Sequence, residues 1–237
     1  IGMSGWTGFA PLALAEEAGL FKANGVEVET RLVPQRERNL ALASGALNCV
    51  VTTVDTMILW GSTMPLVQVL VLDRSRGADG VAVRPSIGGW AELKGKTLAV
   101  DGPGTTPYFV LAYMLRENGL SIKDVRTATL APQPAAQAFV AGQFDGCSTY
   151  EPYLSQVRAM GADKGKILAT TLDYPCVVDT LAFQPDFVAK NGAAVKAVVQ
   201  GWYDALAMIQ REPDKAFAIM GKRVNQSGEA FKASAAF

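Results

Sequence analysis

Alternating strand-like and helix-like segments predict an α/β fold of two lobes, each a mostly parallel sheet flanked by helices, joined by two crossovers. Three observations carry this. First, one unit is spelled twice, as Leu42-Ala43-Ser44-Gly45-Ala46-Leu47-Asn48-Cys49-Val50-Val51-Thr52-Thr53-Val54-Asp55 and as Phe139-Val140-Ala141-Gly142-Gln143-Phe144-Asp145-Gly146-Cys147-Ser148-Thr149-Tyr150-Glu151-Pro152. Each copy reads as a helix end, a glycine that stops it in the left-handed conformation, a short apolar strand and a polar tip with an acid. Second, strand-length apolar runs of the kind found in buried parallel strands recur along the chain. Third, residues 176–183 read as a late strand that returns to the first lobe, so the chain leaves lobe I near Ala82 and re-enters it near Val178. Lobe I is then 1–82 plus 178–237 and lobe II is 83–177, with the two crossings acting as a hinge.

In chain order, residues 1–4 end a strand, and 11–18 form a helix stopped by Gly19. Residues 26–33 alternate apolar and polar with the period of a half-exposed strand. Residues 38–44 are helical and lead into the first copy of the repeated unit. A short helix over 56–60, a turn at Met64-Pro65 and a strand over 66–72 complete this stretch. The second stretch begins near Arg84-Pro85, with a turn at 90–96 and a strand at 97–100. In Gly102-Pro103-Gly104-Thr105-Thr106-Pro107, Thr106 is placed as an N-cap and Pro107 at the first helical position, where its missing N–H costs nothing. That helix ends at Gly119; a strand over 125–130, a helix over 135–141 and the second copy follow. After strands over 167–171 and 176–183 the tail is helical at 195–210, at 213–220 and from Gly228 onward.

Composition narrows the function. The chain has 237 residues, 49 % of them apolar, and a formal net charge of zero, so it lacks the basic excess that nucleic acid or an anionic membrane requires. No apolar stretch approaches the roughly 20 residues of a membrane span. Histidine is absent, which removes Ser-His and Cys-His pairs, histidine bases and His-containing zinc sites. Cys49, Cys147 and Cys176 stand far apart, read as small buried hydrophobes, and leave at least one free thiol because their number is odd. No metal site, cofactor or catalytic residue is implied. The chain opens on a strand without an initiator methionine, as a processed or trimmed chain would.

Several segments together resemble one family. Trp6-Thr7-Gly8-Phe9-Ala10-Pro11-Leu12-Ala13-Leu14-Ala15, Gly19-Leu20-Phe21 and Gly25-Val26-Glu27-Val28-Glu29 are similar to the opening of the NMT1/THI5-like solute-binding proteins of nitrate, sulfonate and taurine ABC importers. Ser44-Gly45-Ala46-Leu47-Asn48, Gly77-Ala78-Asp79-Gly80-Val81, Leu93-Lys94-Gly95-Lys96, Phe139-Val140-Ala141-Gly142 and Glu151-Pro152-Tyr153 follow in the family's order. The resemblance implies a type II periplasmic-binding fold, an extracytoplasmic, monomeric receptor without catalytic activity, a small-molecule ligand and a membrane permease as partner. Family members continue past the point where this chain stops, which implies truncation.

Candidate ligand contacts lie at strand ends and helix starts. Trp6, Thr7, Thr53, Thr105 and Thr106 border three helix N-termini, whose free N–H groups suit an anionic or accepting group. Asp55, Asp73, Glu151 and Asp179 each follow a strand and make the opposite offer, since a buried carboxylate needs a partner that a ligand ammonium can supply. The aromatics Trp6, Phe9, Tyr108 and Tyr150 sit in the same loops as pocket walls, while Trp60, Trp90 and Trp202 read as packing. Arg36 and Arg38 read as a solvated face. Donors and acids together suit a zwitterion such as an aminosulfonate, or a polar nitrogen heterocycle. The two repeated tips, Thr53-Val54-Asp55 and Tyr150-Glu151-Pro152, are expected to face one cleft that closes on the ligand. A lyase using Glu151 or Asp179 as base is the alternative; related pyrimidine-forming proteins rely on a histidine and a cysteine-rich motif that this chain lacks.

Overall fold

The computed structural model of the chain describes residues 1–61 and 63–235. It divides into two units: Ile1–Asp73 with the segment from Val178 onward, and Arg74–Val177. Each unit is built on one five-stranded sheet.

In the first unit β1 (Gly2–Met3), β2 (Arg31–Leu32), β3 (Cys49–Thr53) and β4 (Val67–Arg74) come before the crossing. The second unit holds β5 (Asp79–Val83), β6 (Thr97–Val100), β7 (Arg126–Thr129), β8 (Gly146–Tyr150) and β9 (Lys166–Thr170). The returning strand β10 (Val178–Phe183) completes the first sheet. The sheet orders are β2-β1-β3-β10-β4 and β7-β6-β8-β5-β9. Each sheet contains an antiparallel pairing beside its central strand: β10 is antiparallel to β3, and β5 is antiparallel to β8 and β9.

The twice-spelled unit therefore has a structural meaning. Both β3 and β8 hold the central place of a sheet, with a parallel strand on one side (β1 or β6) and the antiparallel strand on the other. Gly45 and Gly142, which end the preceding helices Gln35–Ala43 and Pro132–Val140, have φ of 78° and 87°. Those values fall in the left-handed region that a Cβ disfavours, so glycine is the residue that can turn the chain there.

Strands buried on both faces bind helices on both sides. In the second unit Val81, Val83, Leu98 and Val100 pack with Val110, Leu111 and Met114 of the helix Thr106–Glu117. The alternate residues Ala82, Ala99 and Cys147 pack with Ala135, Ala136 and Phe139 of the helix Pro132–Val140. Small residues on that second face let the helix approach the sheet closely. In the first unit Val50 and Ala182, opposite each other in register, pack with Leu42.

Several expectations need correction. The break after lobe I lies at Asp73/Arg74 rather than near Ala82, because residues 79–83 are hydrogen-bonded on both sides within the second sheet. Residues 26–31 keep the alternating exposure, but Leu32 is exposed like Arg31 before it, and only Arg31–Leu32 joins a ladder, since its partner β1 is itself two residues long. Thr106 is the first residue of its helix and Thr105 is the N-cap, with its hydroxyl turned back to donate to the Gly102 carbonyl at 2.8 Å. Arg38 is not on a solvated face. It is 3 % exposed on the helix Gln35–Ala43 and donates from Nη1 to the Val51 carbonyl at 2.8 Å. Cys49 and Cys147 are buried, Cys176 is half-buried, and none of the three is in a disulfide.

Candidate functional site

The first unit gathers seven of the sequence-selected residues. Trp6 and Thr7 leave the C-terminal end of β1, Thr53 ends β3, Asp73 lies near the end of β4, and Asp179 is at the start of β10. Because β10 runs against β3, its first residues meet the last of β3, and Asp179 stands opposite Thr53 in register. This is the edge at which open α/β sheets collect ligand-binding groups.

Hydrogen bonds tie the group together. The Trp6 indole N–H donates to Asp73 Oδ2 at 3.2 Å. Thr53 Oγ1 donates to Thr56 Oγ1 at 2.9 Å, which also receives the Gln35 amide at 2.9 Å. Burial pushes the Asp73 carboxyl above the usual carboxylate range, against the hydrogen bond from Trp6, which acts the other way. Burial likewise raises Asp55, opposed by hydrogen bonds from Thr53 and Thr56. Gly8 closes the cluster: a Cβ there would overlap the Asp73 carboxylate and the Trp6 indole. Phe9, by contrast, is 3 % exposed and belongs to the core rather than to a pocket wall.

The second unit places Thr105, Thr106, Tyr108, Tyr150 and Glu151 at the equivalent edge of its sheet. Two adjacent β8 residues on opposite faces fix the starts of two helices. Ser148 Oγ donates to the Pro107 carbonyl and Thr149 Oγ1 to the Pro132 carbonyl, each at 2.9 Å. Neither helix has a side-chain cap: Thr105 spends its hydroxyl on Gly102, and Ala131 has none to offer. First-turn N–H groups without a capping side chain are suited to an accepting ligand group. Tyr108 is half-buried against the core, and Tyr150 is buried with its ring 5.7 Å from that of Tyr153.

Glu151 has a different occupation. Its carboxylate is 0 % exposed, accepts from Arg158 Nε at 3.1 Å and from the Ser155 N–H at 2.9 Å, while Arg158 also donates to the Gly77 carbonyl at 2.9 Å. Burial raises the Glu151 carboxyl, and these bonds partly offset the rise. The group holds the loop and helix after β8 together.

One residue escaped the sequence reading. Asp79, 3 % exposed, begins β5 opposite Tyr150, the place that Asp179 occupies opposite Thr53. Its N–H donates to Ser75 Oγ at 3.2 Å, and Ser75 shares a 2.7 Å hydrogen bond with Thr171 inside a buried hydroxyl cluster. The signal was present: Asp79-Gly80-Val81-Ala82-Val83 and Asp179-Thr180-Leu181-Ala182-Phe183 share an Asp-x-aliphatic-Ala-apolar plan.

Two five-stranded sheets of this order, with polar groups at their C-terminal edges, define a two-lobe α/β fold of the periplasmic-binding class. The chain belongs to the NMT1-like family, whose profile matches residues 1–221. It is similar in structure to the alkanesulfonate-binding protein SsuA from Xanthomonas axonopodis pv. citri, with a TM-score of 0.84 at 19 % identity, over 100 % of this chain and 82 % of that one. The periplasmic nitrate-binding protein NrtA from Synechocystis PCC 6803 superposes with a TM-score of 0.78 at 20 % identity, over 98 % and 68 % of the two chains. A Brucella abortus protein named for a binding role is 23 % identical over 213 residues, 89 % of this chain. The chain spans 66 % of the length of that relative. No helix among the described residues is long and apolar enough to cross a membrane.

Proposed function

We propose that this chain is the solute-binding receptor of an ABC importer, working outside the cytoplasm as a monomer without catalysis and delivering a small polar organic ligand to a membrane permease. The observation that carries this reading is the duplicated plan itself: each unit ends a central strand, β3 or β8, at an edge that carries polar side chains. Each unit contributes a half-site, and capture draws the two onto the ligand by hinge closure. Membership of the NMT1-like family and the naming of its relatives as binding proteins support the assignment.

The two half-sites differ in chemistry. The first offers Trp6, Thr7, Thr53, Asp55, Asp73 and Asp179; the second offers Thr105, Thr106, Tyr108, Tyr150 and uncapped helix starts. Acids on one side and N–H donors on the other favour a ligand with unlike ends, of which taurine is the simplest sulfonate example. Glu151, engaged by Arg158, is left out of the ligand shell.

Isothermal titration with taurine, alkanesulfonates, nitrate, simple amines and pyrimidines tests the proposal, together with X-ray scattering of each mixture. A single saturable site for one class, with a smaller radius of gyration on binding, is the expected result. Absence of binding across the panel, or conversion of any compound to product, overturns it.

A further inference from the structure

We propose that a cavity in the first unit, lined by none of the strand-end residues described above, is a second binding site that takes a small carboxylate with an apolar body on Arg223. It lies between the helix Ala10–Glu17, the helix Pro213–Arg223 and β2, and its volume of about 620 Å³ is within the range of small-molecule sites. Its walls are of two kinds. Ala13, Leu32 and Ile219 are apolar, whereas Arg31, Lys222 and Arg223 are cationic and face one acid, Glu17.

The three cations are not equivalent. Arg31 is neutralised by Glu29 at 2.8 Å, but Lys222 and Arg223 have no carboxylate at ion-pairing distance among the described residues. Arg223 is nevertheless fixed in place. Its Nη2 donates to the Thr30 carbonyl and to Thr30 Oγ1, the latter at 2.9 Å. Thr30 is 4 % exposed and is held in turn by Glu16, whose Oε2 accepts the Thr30 N–H at 3.0 Å and the Thr30 hydroxyl as well. The guanidinium is therefore oriented before any ligand arrives, which lowers the ordering cost of binding. Its Nε is shut off from water and has no acceptor. A buried N–H without an acceptor, on a cation without a counter-ion, is an unfavourable arrangement that an oxyanion laid against the planar fork relieves.

Charge and surface narrow the ligand. Two unpaired cations against one acid leave a single positive charge in the cavity, which matches a monoanion. Leu32, at 50 % exposure, is an apolar side chain that water meets in the empty cavity, and covering it together with Ile219 favours a ligand with a carbon body. The site does not depend on which solute the strand-end residues take.

Benzoate is the probe, with two controls: benzyl alcohol keeps the ring without the charge, and inorganic phosphate keeps the charge without the ring. Titration of nitrogen-15-labelled protein with benzoate is expected to move the amides of Ala13, Leu32 and Ile219 along one saturable curve, with both controls at least about tenfold weaker. Arg223→Lys retains the charge and loses the fork, and is expected to weaken benzoate about tenfold. Leu32→Glu sets a carboxylate on the exposed wall, leaves the Arg223–Thr30 anchor untouched and is expected to abolish benzoate binding. The proposal is overturned by a benzoate response that does not saturate, by phosphate binding as tightly as benzoate, or by shifts confined to strand-end residues such as Thr53 and Asp179. Benzoate binding at wild-type strength in either folded variant overturns it as well.

Discussion

Asp179 stands directly opposite Thr53 across the antiparallel β10–β3 ladder, and Asp79 repeats the relationship opposite Tyr150 across β5–β8. An acid at the start of the strand antiparallel to the central strand thus meets that central strand's end in both sheets. The arrangement follows from topology: only a strand running against its neighbours brings its N-terminal residue to the edge where the parallel strands finish.

Glu151 and Arg158 supply the first prediction. Arg158→Ala leaves a fully buried acid without its cation, and breaking such a pair costs about 3 kcal/mol at neutral pH. The Glu151 carboxyl is already raised by burial, and loss of Arg158 raises it further. Below its folded pKa Glu151 is neutral, so the deficit shrinks as pH falls. Urea denaturation at neutral and at acidic pH measures both: the curves of wild type and variant converge in acid.

Gly8 is tested by adding one carbon. Gly8→Ala sets a methyl against Asp73 and Trp6, so both must shift, with a destabilisation of about 2 kcal/mol. Gly89→Ala is the control, because nothing lies within 4 Å of its Cβ position and its backbone is extended. Thermal melting separates the two: Gly8→Ala lowers the midpoint and Gly89→Ala leaves it in place.

Backbone strain alone is expected at Gly45. Its Cβ position is open, but φ is 78°, so Gly45→Ala costs about 1 kcal/mol through conformation and not through contact. Asn enters the left-handed region more readily, so Gly45→Asn costs less. Chemical denaturation of the two variants side by side gives the order Gly, Asn, Ala.

Thiol labelling reads the cysteines. Burial pushes Cys147 up to about 12 and raises Cys49 as well, whereas Cys176 is half-buried. Reaction with an aromatic disulfide in mild alkali modifies Cys176 first. Cys49 and Cys147 follow at the rate of structural opening, and denaturant brings all three to one rate.

Much of the fold was legible because it is written locally. Gly45 and Gly142 announce helix ends through their conformational freedom, and the apolar runs after them announce strands through length and composition. The candidate residues at strand ends were legible for the same reason. What escaped was decided by partners distant in sequence. β5 begins Asp79-Gly80, poor strand formers, and is a strand because β8 and β9 hold it on both sides. Arg38 looks like a surface charge until the Val51 carbonyl is brought beside it.

By itself, then, the sequence determined an α/β chain of two like units, with acids and helix starts where strands finish, since periodicity and turn chemistry are properties of neighbouring residues. Only the tertiary structure decided what each polar group does. It gave Glu151 to Arg158, Asp73 to the Trp6 indole, and Phe9 to the core. A buried polar side chain is assigned by whichever partner the packed sheets bring within hydrogen-bonding distance, and Trp6 lies 67 positions from the carboxylate that holds it.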